Sequence, residues 1–355
     1  MVTILDNQER VKEVDKSGML NHLVKTPNYC RDAIKRTAET SVPSNMKPKN
    51  IVIIGMGGSA IGGEILKDWL RDELPIPIEV CRDYTLPAYA NKDTLVIANS
   101  YSGNTEETLS AFLAANKRKC TTIAITSGGQ LEALCKKMQL PHVTIPEGLP
   151  PRAAIPYLFF PLPVLMEKMG ILSNIGNELE EAIQVLEKIG KTNSPSVPTE
   201  DNKAKKLAHE LMDTIPVIYG FRQYGAIAHR LKTQFNENSK VPSKHDVFPE
   251  LNHNTTVGWE APETLTKNYS IILIRDPAEP PEIKNRIETT TALAFSKAKK
   301  VLQINAEGTG KLAKMLSVLC IGDFASVYLA ILQNKDPTPV EIIDRVKREL
   351  AKKTA

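Results

Sequence analysis

Two stretches carry residue types suited to chemistry. The first, "SYSGNTEET" (residues 100–108), sets Ser100, Ser102 and Thr105 around Gly103 and Asn104, where an apolar run gives way to a helical pattern. Serine and threonine hydroxyls donate single hydrogen bonds to phosphate oxygens. A helix N-terminus adds backbone N–H donors and the positive end of its dipole. The same hydroxyls are equally suited to capping the helix that follows. The second stretch, "RLKTQFNENSKVPSKHDVFPELNHN" (residues 230–254), offers a helix-end carboxylate, Glu237, and two histidines, His245 and His253. An aldose–ketose isomerisation needs such a pair: a base over the sugar face to move a proton between C1 and C2, and an acid/base to open the ring. Asp246 stands beside His245 as an orienting carboxylate. Taken singly, Glu237 reads more readily as a solvated helix end, and each histidine as a surface or core residue.

A third stretch, "IVIIGMGGSAIGG" (residues 51–63), ends a β-branched run in a cluster of glycines. Gly55-x-Gly57-x-x-Ala60 satisfies the dinucleotide fingerprint, with Asp83 roughly placed for a ribose hydroxyl. Gly57, Gly58 and Ser59 serve equally as a cradle for a single phosphate. The glycine turn and the hydroxyl turn share the carboxyl edge of one parallel sheet, where ligands bind in such folds. "EGTGKLAK" lacks the offsets of a phosphate loop. No histidine or carboxylate cluster has metal-ligand spacing, so neither a metal nor another cofactor is expected.

These motifs need elements to position them. "IVIIG", "IEVCR", "TLVIANS", "TTIAIT" and "HVTIP" are short continuous apolar runs separated by amphipathic patterns, which predicts an α/β fold with a covered parallel sheet. "IPYLFFPLPVLMEKMG" reads as a buried helix or helix pair interrupted by prolines. Residues 191–202, "KTNSPSVPTEDN", read as a linker. Beyond it the alternation restarts with "IPVIYG", "YSIILIRD" and "KKVLQINA". Two α/β domains of similar plan are expected, over 1–190 and 191–337, with a last amphipathic helix in 338–355.

The 355 residues suffice for two cores. Basic and acidic residues, 45 and 41, are well mixed, with no basic arm, so nucleic acid is not an expected partner. The five scattered cysteines form no C-x-x-C pair and suggest a reducing cytoplasm. The charged N-terminus does not resemble a signal peptide. "MLSVLCIGDFASVYLAIL" is the nearest approach to a membrane span, and Gly322 and Asp323 are expected to interrupt it.

Paired G-x-G-G-S and S-x-S-G-x-T turns resemble the sugar isomerase (SIS) domain. "GMGGSAIGG", "SYSGNTEET", "PPRAAIPY", "FNENSKVPSKHDVFPELNHN" and "VEIIDRVKREL", in that order, resemble the archaeal-type bifunctional phosphoglucose/phosphomannose isomerases, which are tandem SIS-domain proteins. The resemblance implies two SIS-type domains, each a parallel sheet flanked by helices on both faces. It implies interconversion of glucose 6-phosphate and mannose 6-phosphate with fructose 6-phosphate through a cis-enediol(ate). Ser100, Ser102 and Thr105 would grip the phosphate, and Gly57, Gly58 and Ser59 would form the substrate-facing turn. Glu237 would transfer the proton, and Arg152 would stabilise the enediolate. Lys347 would approach substrate from the final helix. His253 would open the ring of the neighbouring subunit's substrate, which implies a homodimer. The family also uses a hydroxyl near the last helix for mannose-type substrates, and the resemblance does not assign it to one position. A non-catalytic SIS sensor would not need Glu237 and His253 together. An amidotransferase-type isomerase would need a nucleophile domain or a different catalytic tail. A dehydrogenase is a more distant reading.

Overall fold

A computed structural model describes residues 3–354. The apolar runs of the first half become β1 (Asn50–Ile54), β2 (Ile78–Cys81), β3 (Thr94–Ser100), β4 (Thr121–Thr126) and β5 (His142–Thr144). All pair in parallel, in the order β2-β1-β3-β4-β5. β3 is buried along its whole length, as expected of a central strand covered on both faces. The second sheet contains β6 (Ile215–Phe221), β7 (Lys244–Phe248), β8 (Tyr269–Arg275) and β9 (Lys300–Asn305), parallel in the order β7-β6-β8-β9. β6 thus occupies in the second sheet the place that β1 occupies in the first. Helices flank both sheets, and the segment 191–202 joins the Gly176–Thr192 helix to the Lys203–Glu210 helix.

The crossover helix after β1, Gly58–Leu70, packs against the crossover helix after β6, Gly225–Gln234. Asp68 Oδ2 accepts from the Ala226 N–H at 2.7 Å, and Glu64 Oε2 lies 2.7 Å from His229 Nδ1. Residue numbers fall on one helix as they rise on the other, so the helices are antiparallel. The start of the first therefore sits beside the end of the second, and this crossing assembles the site described below.

The longest described helix, Lys311–Leu332, runs unbroken through Gly322 and Asp323, the two residues that interrupt its apolar sequence. A Cβ on Gly322 would come within 2.5 Å of the Leu231 side chain, so the missing side chain admits a neighbouring helix rather than ending this one. Asp323 is neutralised by buried Arg230, through Nη2 to Oδ2 at 2.9 Å. By length and composition this helix could cross a membrane, but 94% of its most apolar window is buried against the rest of the protein. It serves as the axis of one hydrophobic core that runs from Leu5 to Ile331 and unites both domains.

Candidate active site

The glycine turn after β1 places Gly57 at φ 51° and starts its helix at Gly58. A Cβ at Gly58 would meet the Pro151 carbonyl oxygen at 3.2 Å, so a side chain there would crowd the 150–152 backbone. Ser59 is buried, and its Oγ accepts from the Tyr101 N–H at 3.2 Å. That bond ties the glycine turn to the hydroxyl turn. Asn99, fully buried, donates from Nδ2 to the carbonyls of Ser59 at 2.9 Å and Leu158 at 2.8 Å, locking three segments together.

In the hydroxyl turn, Ser100 Oγ lies 3.2 Å from Thr105 Oγ1, and Gly103 turns the chain at φ 66°. Thr105 is the N-cap of the Glu106–Lys117 helix, but its side chain makes no capping bond. Helix capping therefore does not explain Thr105. Ser102 is exposed and accepts from the Asn104 N–H at 3.3 Å. The turn thus gathers three hydroxyls at a helix N-terminus, a suitable arrangement for an anionic group.

Arg152 connects this edge to the second domain. It is 3% exposed and spreads its guanidinium over four acceptors. Nε donates to Asn238 Oδ1 at 2.5 Å, Nη1 approaches Glu237 Oε2 at 3.5 Å, and Nη2 donates to the carbonyls of Pro337 at 2.5 Å and Thr338 at 2.8 Å. Burial lowers its pKa, and the Glu237 carboxylate opposes that shift. Arg230 holds the Arg152 carbonyl at 2.7 Å while paired with Asp323. A buried cation fixed on all sides is preorganised to meet developing negative charge.

Glu237 lies in a π-turn, Phe235–Ser239, that ends the Gly225–Gln234 helix. Such wide turns occur frequently at functional sites. The neighbouring side chains anchor it to the long helix: Asn238 Nδ2 donates to Ser326 Oγ at 2.9 Å, and Ser239 Oγ to the Ser326 carbonyl at 2.6 Å. The Glu237 side chain remains 31% exposed. It lines a cavity of about 970 Å³ with Lys240, Asp336 and Ile342. Lys240 Nζ donates to the carbonyls of Glu237 and Pro337, and burial, then Arg152, push its pKa down to about 8. Thr338 Oγ1 is buried with no hydrogen-bond partner, so a polar group is left to be satisfied beside Arg152.

The structure therefore brings Gly57, Gly58, Ser59, Ser100, Ser102 and Thr105 to one edge and joins that edge to Glu237 through Arg152. It does not bring His253 or Lys347 to Glu237 within one chain. Glu237 lies at the amino end of the second sheet, sharing a cavity with Ile215 at the start of β6. His253 is exposed in the short helix Glu250–His253, beyond the carboxyl end of β7. Traversing β7 alone covers about 13 Å. Lys347 is exposed on the Glu341–Thr354 helix, beside Glu341, Asp344 and Arg348.

His245 does not use Asp246 as its orienting carboxylate. Successive strand residues face opposite ways, and Asp246 instead accepts from the Thr255 hydroxyl. His245 stacks on His229, with centroids 4.7 Å apart. Its ring keeps an open edge to solvent. Packing around the rest of it, then the charge of His229 and Lys232, push its pKa down to about 4. Among the described residues, no group of three or more histidines, cysteines and carboxylates is placed to hold a metal ion.

Reasoning from sequence missed Asn238, Arg230, Asp323 and Lys240. The first and last adjoin Glu237 in "NENSK", but their roles depend on contacts with segments some 90 residues away. Nothing local marked Arg230 or Asp323.

The SIS domain model matches residues 46–139, and the bacterial phospho-glucose isomerase C-terminal SIS domain model matches residues 200–350. The chain is 42% identical over 315 residues to the bifunctional phosphoglucose/phosphomannose isomerase of Caldicellulosiruptor bescii, covering 88% of this chain and 93% of that one. It is 36% identical over 305 residues to the protein of the same name from Aquifex aeolicus, covering 86% and 91%. A glucose-6-phosphate isomerase like protein from Thermus thermophilus shares the fold, with a TM-score of 0.64 at 20% identity, covering 94% and 96% of the two chains.

Proposed function

The chain belongs to the bifunctional phosphoglucose/phosphomannose isomerase family, and from that premise we propose that it interconverts glucose 6-phosphate and mannose 6-phosphate with fructose 6-phosphate. The reading rests above all on one juxtaposition. Arg152 follows the backbone that packs on the glycine turn, and its guanidinium reaches Glu237 of the other domain.

In this scheme Ser100, Ser102 and Thr105 hold the phosphate, and Gly57 and Gly58 leave room for the chain of the sugar beside Ser59. After ring opening, Glu237 takes the proton from C2 of the aldose and returns it to C1, while the proton of the O2 hydroxyl passes to O1, so that C2 becomes the carbonyl and C1 the alcohol. The electron pair left by the C–H bond shifts toward the carbonyl oxygen, and Arg152 balances the resulting enediolate charge. Thr338, whose hydroxyl lacks a partner, supplies the hydroxyl that accommodates mannose-type substrates. No step requires a metal or other cofactor.

Ring opening by His253 requires a second chain, because Glu237 and His253 stand at opposite ends of β7. In a two-fold homodimer His253 of one chain faces Glu237 of the other. Lys347 reaches the site when its helix settles against it. The enzyme would act in the cytoplasm.

The test is direct. Purified protein is incubated with fructose 6-phosphate in EDTA, and glucose 6-phosphate and mannose 6-phosphate are followed separately. Formation of both is expected. Absence of both contradicts the proposed activity, and loss of turnover in EDTA contradicts a metal-free route. Mixing inactive Glu237→Gln and His253→Ala chains should restore about a quarter of the activity if sites are shared between two subunits. No restoration despite subunit exchange contradicts the sharing.

A further inference from the structure

Lys240 closes the π-turn that carries Glu237, and its backbone is left-handed, at φ 58° and ψ 32°. Glycine or asparagine adopts that conformation more readily than lysine does. The lysine side chain folds back over the turn: Nζ donates to the Glu237 carbonyl at 2.6 Å and to the Pro337 carbonyl at 2.8 Å. Arg152, from the other domain, donates to the same Pro337 oxygen. Two cations thus fasten residues 335–339 as a strap beside Glu237. An ammonium has three donors, and two are used, leaving one for the cavity that Lys240 and Glu237 both line. The charged groups around it are Arg152 and Lys335 on one side of the balance, and Asp336 and Glu237 on the other.

We propose that Lys240 is a positioning residue: by tying the Glu237 carbonyl to the Pro337 carbonyl, it fixes the turn from which the Glu237 carboxylate reaches the sugar. The proposal rests on the reading of Glu237 as proton carrier. Lys240 acts through Glu237 and the strap, while the phosphate is held in the other domain. Its loss should therefore appear in turnover rather than in substrate capture.

The informative substitution is Lys240→Gly, which suits the left-handed backbone while removing the tie. Its melting temperature should stay within a few degrees of the parent's. kcat for fructose 6-phosphate should fall about 100-fold, the scale of a 1 Å misplacement of a reacting group, with KM changed less than about threefold. Lys240→Asn, which also tolerates this backbone, provides the same reading if the glycine variant does not fold. Lys240→Arg keeps a cation and donors, and should recover at least tenfold of the lost kcat. A glycine variant with kcat within threefold of the parent, or one that loses only KM, overturns the proposal. Glu237→Gln, measured alongside, separates the two readings. Full turnover there removes the proton-carrier role itself. An inactive Glu237→Gln beside a fully active Lys240→Gly removes only the positioning role.

Discussion

The turn after β1 and the turn after β6 occupy the same place in two sheets of like topology, yet they are built from different chemistry. After β1 stand Gly57, Gly58 and Ser59, with the hydroxyls of Ser100 and Thr105 beyond the neighbouring strand. After β6 stands Tyr224, fully buried, its hydroxyl donating at 2.6 Å to Asp276 beyond β8. Asp276 in turn pairs with Lys314 at 3.1 Å. An aromatic ring and a carboxylate thus occupy the second sheet's carboxyl edge, where the first sheet has glycines and hydroxyls. The second domain contributes instead from the opposite end of its crossover helix, where the π-turn presents Glu237. Because the crossover helices are antiparallel, the glycine-turn edge of one domain and the far edge of the other meet, with Arg152 reaching Glu237 across them. Function follows what each turn is made of, not the architecture that both share.

This division of labour can be broken from either side. The largest effect belongs to Glu237→Gln, which keeps the shape and removes the base: kcat should fall about 10³-fold with KM near the parent value, measured as isomerisation of fructose 6-phosphate. Arg152→Lys comes next. A lysine cannot reproduce the planar fork that serves Asn238, Glu237, Pro337 and Thr338, and kcat should fall about 10²-fold. On the ligand side, Ser100→Ala should raise KM about tenfold with kcat within twofold, since one charge-assisted hydrogen bond to phosphate is lost. The smallest effect on activity sharpens the contrast. Tyr224→Phe, at the matching turn of the second sheet, should leave kcat and KM unchanged. It should lower stability by about 1 to 2 kcal/mol in denaturant unfolding, because Asp276 loses a buried donor. A raised KM for Tyr224→Phe would mean that the second edge also meets the substrate.

Much of this organisation was legible in the sequence. Short apolar runs marked eight of the nine strands among the described residues, most clearly the buried central ones such as β3. β7, "KHDVF", was not recognised, since three of its five residues are charged or histidine and only Val247 and Phe248 carry an apolar signal. The hydroxyl turn, the glycine turn, Arg152 and Glu237 were all marked by local motifs. Their convergence was not legible, because it arises from the antiparallel crossing of two helices about 170 residues apart in sequence. Asp68 and Ala226, which meet at that crossing, carry no local sign of it.

The most direct test of the divided site is equilibrium binding of fructose 6-phosphate to Glu237→Gln by titration calorimetry. If the first domain holds the phosphate and the second only moves the proton, the variant binds within about threefold of the parent affinity while turning over about 10³-fold more slowly. Loss of binding together with loss of turnover would place Glu237 in substrate capture and contradict the division between the two domains.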